Sequence, residues 1–561
     1  MSAQRRLNLL MQNAGRHAGW FLAAVGAIWF IMLLASANYT KQAFVFGDEA
    51  GYLLPILYGA NASNYAIWRH LVEYPSHLYF SMYGALPGDG SNGWIKALNA
   101  AFLAGAALPS FIVARRYVTA NHAAIFACVV IATPLSSFVR YVMPEPMFFF
   151  GFWFCLALIT STIDRSAALS ALLGGISFGL LSLVKPHAFA LSLGFGVFLL
   201  LYRPRWRNIG LSLLQVASCY LVHLVVKLAL TGRWVWSVST GNYTGLTTVQ
   251  IDWVATLVNA AGHAFAICAL VAVPAALAVN EIRRHASGQP TDRRQYELAL
   301  LSLGLLAAMV AMTVYFSQKV YQFAPEAERI TRLHGRYYVY VLPLLALLGI
   351  RIWQRHAFSL PLIYARLSLG LSALGATLIV WRYEVGPVDY PDMTLWGGRS
   401  LIYLSCSVVA AQLALFGCSF LMASTRRVLQ IWFAWIVTMT AGAAMLLTVV
   451  APLRSPRLTA IDQVFIHLDD PVRKLIGRAD GVIVGAPDGG GDLPRVMFYM
   501  RSMSKGQVAV PDGSVGDAEM PPGVNWALLL PGVRYSGAQP VIAAGELKIV
   551  WFDGYRSGSN N

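Results

Sequence analysis

The sequence predicts an all-α polytopic membrane protein that ends in a small extracytoplasmic α/β domain. Hydrophobic residues make up 57% of its 561 positions and charged residues 12%, about half the charged share of a typical soluble domain. The apolar residues gather into about thirteen runs of spanning length, taking ~20 residues for a ~30 Å hydrocarbon core. After about residue 453 Asp, Gly, Pro and Arg return, which marks a change of environment.

The runs lie near 19–37, 97–114, 121–135, 146–163, 167–184, 187–202, 208–230, 254–280, 296–316, 337–350, 367–381, 400–424 and 429–452. Those at 121–135, 187–202, 337–350 and 367–381 are short, as suits a tilted, broken or neighbour-buried span. The first follows a basic N-terminus (Arg5, Arg6, Arg16) and has no small-x-small cleavage site, so it reads as an uncleaved span. Basic clusters then fall in every second loop: Arg115-Arg116, Arg165, Arg203 to Arg207, Arg283 to Arg294, Arg351 to Arg366, and Arg426-Arg427. If every run crosses, these share one side, and the positive-inside rule makes that side the cytoplasm. The long first outer loop, 38–96, and the region after the last span then face the other way. The expected organisation is a transmembrane catalytic domain over 1–452 and a periplasmic α/β domain over 453–561. In the latter, helices are expected at 459–478 and 493–503, and strands at 481–485, 526–530 and 547–552.

Composition also excludes some functions. A net charge of +16 would suggest nucleic acid in a soluble protein. Here short basic clusters between apolar runs orient the chain instead, so no nucleic-acid partner is expected. The six cysteines all sit within apolar runs without CxxC or zinc-ligand spacing, and read as small buried hydrophobes. Gly489-Gly490-Gly491 lacks the spacing of a phosphate loop and reads as a turn.

Candidate chemistry collects on the outer side. Asp48 and Glu49 follow the first span within Phe44-Val-Phe-Gly-Asp-Glu-Ala-Gly-Tyr52, where a carboxylate pair is costly unless solvated, paired or used. The aromatic stretch from Tyr65 to Tyr83, with Arg69, His70 and His77, suits helices lying in the interface. Glu145 lies between two prolines just before an aromatic span, either as a site residue or as a carboxylate favoured by a helix N-terminus. Lys185-Pro186-His187 occupies a very short outer turn, where the lysine is a fixed site cation or a snorkelling anchor. His223 and Lys227 share one face of a span by their spacing. His334, Arg336 and Tyr337 close a polar loop where the chain re-enters lipid, and arginine suits bidentate phosphate recognition. Acids and phosphate-binding cations on one membrane face fit transfer of a group from a lipid phosphate to a nucleophile.

This arrangement resembles the GT-C superfamily of polyprenyl-phosphate-sugar-dependent glycosyltransferases. That superfamily includes lipid A aminoarabinose transferases, protein O-mannosyltransferases and actinobacterial arabinofuranosyltransferases. The resemblance rests on Asp48-Glu49-Ala50-Gly51-Tyr52 in the first outer loop, Glu145 at the outer end of the loop between the third and fourth spans, and Arg336-Tyr337 before a late span. Tyr74-Pro75-Ser76-His77-Leu78-Tyr79 stands where many members carry Pro-Pro-Leu-Tyr, and keeps one proline. The resemblance implies a GT-C-like fold and an inverting transfer of sugar to an acceptor hydroxyl on a glycolipid, polysaccharide or protein. The setting it implies is the periplasmic face of a bacterial inner membrane. Asp48 is expected as the general base, with Glu49 and Glu145 positioning the acceptor. A divalent ion, if one is used, is expected on Asp48 and Glu145, and no other cofactor is expected. Lys185, His334 and Arg336 are expected to hold the lipid phosphate, with Tyr52, Arg69, His77, His187 and Tyr337 lining the substrate. Competing readings are a lipid-linked glycan flippase, which would need a polar path through the spans, and a non-catalytic envelope scaffold, which leaves the acids unexplained.

Overall fold

In the computed structural model the described residues are 3–39, 52, 56, 75–85, 93–202, 206–232, 250–323, 329–355, 360–385, 402–447 and the strands with short flanking pieces between 481 and 552. Every apolar run seen in the sequence folds as helix. The helices are α1 (Ala3–Tyr39), α2 (His77–Gly84), α3 (Gly93–Gly105), α4 (Ala107–Arg115), α5 (Ala120–Ile131), α6 (Glu145–Thr162), α7 (Ala167–Ser182) and α8 (Ala188–Tyr202). They continue with α9 (Trp206–Thr231), α10 (Trp253–Ala286), α11 (Arg293–Phe323), α12 (Leu342–Arg355), α13 (Leu362–Arg382), α14 (Ile402–Ser419) and α15 (Thr425–Met445). The chain is a multi-pass membrane protein. Among the described residues eight helices are long and apolar enough to cross a membrane, or nine if the bent pair Ala120–Ile131 and Pro134–Arg140 is one span.

The expected thirteen spans and these eight or nine differ for a physical reason. The runs at 167–184 and 187–202 become helices of 16 and 15 residues, and the run at 337–350 becomes a short 3-10 turn followed by a helix of 14. Helices this short are tolerated at membrane depth when neighbours bury their ends. Here small residues allow that. A Cβ on Gly175 would lie 2.5 Å from the carbonyl oxygen of Gln215, and Gly179, one turn on, presses equally on Cys219. Glycines four apart thus let α7 and α9 pack backbone to backbone.

Local signals set the helix starts. Ser166 Oγ accepts from the Leu169 amide at 3.2 Å at the start of α7. Asp252 accepts from the amides of Val254 and Ala255 at 2.9 and 3.1 Å at the start of α10. Pro146 sits in the first turn of α6, where its missing N–H costs nothing. Within α10, Pro274 removes a donor, and Val271 departs from helical geometry (φ −136°, ψ 22°), which kinks the span.

At the arginine-rich end of the bundle the helices are bolted by buried ion pairs. Arg116 meets Glu297 at 2.6 Å and Asp164 at 3.0 Å. Tyr117 and Tyr202 donate to Glu297 at 2.8 and 2.9 Å. Arg351 donates to both oxygens of Asp292 at 2.7 and 2.8 Å. Burial would raise the Asp164 and Asp292 carboxyls, but hydrogen bonds from Arg116 and Arg294, and from Arg351, hold them below the usual range. The six cysteines are unpaired; Cys155 and Cys219 are buried as expected, but Cys406 and Cys418 are exposed on the bundle surface, where an apolar run faces outward instead of into the core.

The C-terminal region contains strands β1 (Gly481–Gly485), β2 (Ser504–Ala509), β3 (Ser514–Val515), β4 (Trp526–Leu529), β5 (Arg534–Tyr535), β6 (Val541–Ala544) and β7 (Leu547–Trp551). Five form one sheet in the order β2-β1-β4-β7-β6. β1 runs parallel to β2 and β4, and β7 runs antiparallel to β4 and β6. The strands expected from the hydrophobic runs are therefore present. Parallel β1 and β2 need a crossover connection. The helices expected at 459–478 and 493–503, and the glycines at 489–491, lie outside the described residues.

Candidate functional site

Glu145 begins α6, where the helix dipole favours a carboxylate. It is 1% exposed, so its charge must be matched. Lys185, from the short turn between α7 and α8, places Nζ 2.7 Å from Oε1 of Glu145. The other oxygen, Oε2, has no hydrogen-bond partner among the described residues. A buried carboxylate oxygen without a donor is expensive in a settled core, and it leaves Glu145 able to accept one more hydrogen bond.

The turn is short because α7 ends at Ser182 and α8 begins at Ala188, with Pro186 between. Its other charged-capable residue, His187, lies flat on Tyr337, ring centroids 4.3 Å apart at 21°. Tyr337 is the hub of the cluster. It comes from the 3-10 turn Gly335–Tyr337, which presents successive side chains to one spot. The Lys185 ammonium lies 5.0 Å and the Arg336 guanidinium 5.2 Å from its ring centre, within cation–π range. Arg336 also donates to the Tyr337 hydroxyl at 3.2 Å. His334 stands 6.0 Å from the same ring, and Phe316 closes one side edge-on at 5.7 Å. Burial, then the charges of Lys185 and Arg336, push the His187 imidazole well below its ordinary value. It is neutral at pH 7, and its Nδ1 lacks a partner among the described residues.

A second group adjoins the first through α2. The Leu78 amide donates to the Leu183 carbonyl at 3.0 Å, which docks α2 beside the Lys185 turn. His77, at the start of α2, is pushed down to about 4 by burial and then by Lys227 of α9. His223, one helical turn before Lys227, meets Ser182 Oγ at 2.8 Å. Tyr52 packs edge-on against Tyr79 of α2, ring centroids 5.9 Å apart. Asp48, Glu49 and Arg69 lie outside the described residues. The structure thus gathers Glu145, Lys185, His187, His334, Arg336 and Tyr337 into one buried cluster, with His77 on the adjoining helix α2 and Tyr52 packed against that helix.

Three residues were not singled out from the sequence. Phe316 walls the cluster and Tyr79 anchors Tyr52. Arg140, 8% exposed, lies with its guanidinium 5.4 Å from the Tyr141 ring, at the end of the 3-10 turn that precedes α6. Beside it, Asn99 joins Tyr83 to the Tyr141 carbonyl, donating to the latter at 2.8 Å. An arginine inside an otherwise apolar stretch was the signal available for Arg140. The other two read as ordinary interfacial aromatics.

Among the described residues no three His, Cys, Asp or Glu side chains converge as metal ligands. Glu145 offers one unpartnered oxygen, but Lys185 occupies its other side, so the described residues alone do not form a divalent-ion site.

No family model matches the sequence, and no curated protein matches it. Among solved structures the chain is similar to an oligosaccharyltransferase of Archaeoglobus fulgidus. The apo crystal structure of that protein is 11% identical and gives a TM-score of 0.37, over 90% of this chain and 69% of that one. Its complex with Zn and sulfate is 12% identical at 0.36, over 90% and 67%. Its complex with an inhibitory peptide and a dolichol-phosphate is 10% identical at 0.35, over 91% and 69%. Likeness at these scores carries no argument about activity.

Proposed function

We propose that the chain is an inverting glycosyltransferase that moves a sugar from a polyprenyl-phosphate donor to an acceptor hydroxyl on the extracytoplasmic face of a bacterial inner membrane. The observation that carries this reading is the buried cluster of Glu145, Lys185, Arg336, His187 and Tyr337 at the membrane end opposite the arginine-rich loops. Two cations and a carboxylate at that depth suit a lipid phosphate beside a sugar.

The acceptor oxygen attacks C1 of the sugar as the bond from C1 to the phosphate oxygen breaks, and the electron pair leaves with the phosphate. The acceptor proton goes to a carboxylate, for which Asp48 is the candidate. Asp48 precedes Tyr52 by four residues, about 14 Å of chain at most. Tyr52 is held against Tyr79, and α2 docks beside the Lys185 turn, which supports a place for Asp48 near the cluster. Arg336 and Lys185 stabilise the charge that develops on the departing phosphate, in a site preorganised by Tyr337. Glu145 keeps Lys185 oriented and offers Oε2 to a sugar or acceptor hydroxyl, with Glu49 as a second positioning carboxylate. His187 and His77, neutral at pH 7, contribute hydrogen bonds without adding charge. The C-terminal sheet, read as lying on the same face, would meet the acceptor.

The test uses purified full-length protein in lipid nanodiscs with a panel of polyprenyl-phosphate sugars. The expected result is release of polyprenyl phosphate together with sugar transferred with inverted configuration at C1. Release from no donor in the panel, with acceptors of all three classes present, would sink the reading.

A further inference from the structure

A large apolar slot runs from the arginine-rich end toward the Glu145 cluster, with Phe149, one turn after Glu145, and Val339, two residues after Tyr337, in its lining. It is bounded by α5, α12 and α15, with a volume of about 570 Å³, and Phe126, Ala346, Phe433 and Ile436 are among its lining residues. Its origin is visible in the backbone. The bent pair Ala120–Ile131 and Pro134–Arg140 turns by 49°, and Leu270 and Val271 at the α10 kink line the same space. Interrupted spans leave room that straight helices would fill. Along α15 the slot runs from Leu429 to Thr440, roughly 16 Å at 1.5 Å per residue. That is about half of a ~30 Å hydrocarbon core, the depth of one leaflet.

The slot meets a second cavity of about 690 Å³ at the arginine-rich end, and His122 and Trp353 line both. Their rings stand edge to face, 6.2 Å apart, at the junction. Arg115, Arg116, Arg351, Arg355 and Arg426 line this mouth. Arg116 and Arg351 are committed to Glu297, Asp164 and Asp292. Arg115, Arg355 and Arg426 are exposed, and none has a carboxylate partner among the described residues. Among the described residues no acidic side chain lines either cavity. The mouth is therefore cationic where the slot is apolar, and the charge sits at the lipid–water boundary.

We propose that this is a binding site for an anionic phospholipid of the arginine-side leaflet. One acyl chain fills the slot between α5, α12 and α15, and the phosphate is held by Arg115, Arg355 and Arg426. The pairing of charge and shape selects this occupant. A free anion would leave the slot unexplained, and a zwitterionic lipid would leave three arginines without a net negative partner. Guanidinium groups match phosphate oxygens two at a time, and basic residues at a membrane surface favour anionic lipids. Trp353 is half exposed at the junction, as an indole at a lipid headgroup would be. The site rests on the membrane fold and not on the transfer reaction, and its arginine mouth lies at the opposite end from the cluster proposed to hold the donor phosphate, although the far end of the slot reaches Phe149 and Val339 beside that cluster.

The experiment measures lipid retention by native mass spectrometry on the full-length protein, exchanged into neutral detergent with equal amounts of phosphatidylglycerol and phosphatidylcholine. The wild type is expected to retain phosphatidylglycerol by about tenfold over phosphatidylcholine, as several basic contacts at a membrane surface predict. The triple variant Arg115→Gln, Arg355→Gln, Arg426→Gln changes exposed side chains, and is expected to keep its melting temperature while losing that preference. Ala346→Phe fills the slot and is expected to lower retention of both lipids, with Ala346→Leu as the milder replacement should the larger ring prevent folding. Equal retention of the two lipids by the wild type would overturn the proposal, as would an undiminished preference in the triple variant. Displacement of phosphatidylglycerol by inorganic phosphate alone would make the mouth a free-anion site and also overturn it. Loss of polyprenyl-phosphate binding in Ala346→Phe with phosphatidylglycerol retention unchanged would reassign the slot to the donor chain.

Discussion

The two ends of the helix bundle both bury charge, but they treat it differently. At the arginine-rich end the carboxylate oxygens of Glu297, Asp164 and Asp292 are all matched, and what is left over includes a donor, Arg351 Nε, which has no partner among the described residues. Glu297 accepts from Arg116, Tyr117 and Tyr202, Asp164 from three arginines, and Asp292 from Arg351. At the other end Glu145 is matched on one oxygen and bare on the other, and His187 keeps an unpartnered nitrogen. A satisfied network holds a fold together. At the Glu145 end the atoms left over, an acceptor oxygen and an imidazole nitrogen, are enclosed by aromatic rings, and the proposed reading gives them to a bound molecule.

The largest effect should come from breaking the arginine-rich end. Glu297→Ala removes the partner of a buried Arg116, and leaving one member of a buried pair uncompensated costs about 3–5 kcal/mol. Denaturation in detergent should show that loss, while transfer per folded molecule stays near the wild-type rate. A fall in the intrinsic rate with stability intact would make the arginine-rich end part of the machinery and erase the distinction.

Arg336→Ala tests the Glu145 end. It should weaken donor binding by about 2–5 kcal/mol, the range for truncating one partner of a buried charged contact. Titration with a non-transferable polyprenyl-phosphate analogue checks this, and unchanged affinity would remove the phosphate role from Arg336.

Asp48→Asn should lower the transfer rate by roughly 10²-fold or more while donor binding survives, since it removes a base and keeps the shape. Glu49→Gln should be milder. Wild-type transfer by Asp48→Asn would move the proposed base to Glu145, whose buried Oε2 has no hydrogen-bond partner among the described residues.

The smallest effect is a pH dependence. Asp164 and Asp292 are held below the usual carboxylate range. Their contribution to stability is therefore full above the unfolded value of about 3.9 and is lost as pH falls through the folded values. His77, pushed down to about 4, adds stability that is full above about 6.5 and declines as pH falls toward 4. Melting temperatures should be flat from pH 8 to 7, drift down below about 6.5 and drop steeply below about 4. A His77→Gln variant should shrink the early drift, to which the depressed His187 also contributes, and keep the late drop.

Much of this was legible in the chain. Apolar runs of near-spanning length dictate helices because lipid leaves the backbone no other partner, and each run became one. Alternating arginine clusters sorted the loops into two faces. Glu145, Lys185, His187, His334, Arg336 and Tyr337 stood out because charge beside lipid is costly. The strands at 481–485, 526–529 and 547–551 followed from short β-branched and aromatic runs between turn residues.

Other features needed three dimensions. The lengths of α7, α8 and α12 depend on how closely neighbours approach, and Gly175 against Gln215 has no local signature of its partner. The pairing of Glu145 with Lys185 joins residues 40 positions apart. The stacking of His187 on Tyr337 joins α8's leading turn to a segment on the far side of α9, α10 and α11. Arginines that looked in sequence like topology markers divided in space into two kinds. Arg116, Arg293, Arg294 and Arg351 tie helices together, and Arg115, Arg355 and Arg426 face a cavity. Sequence determines which residues must leave lipid or be compensated, because that cost is local to each side chain. Tertiary structure decides which partner compensates them and which is left open, because that depends on helices meeting from distant parts of the chain.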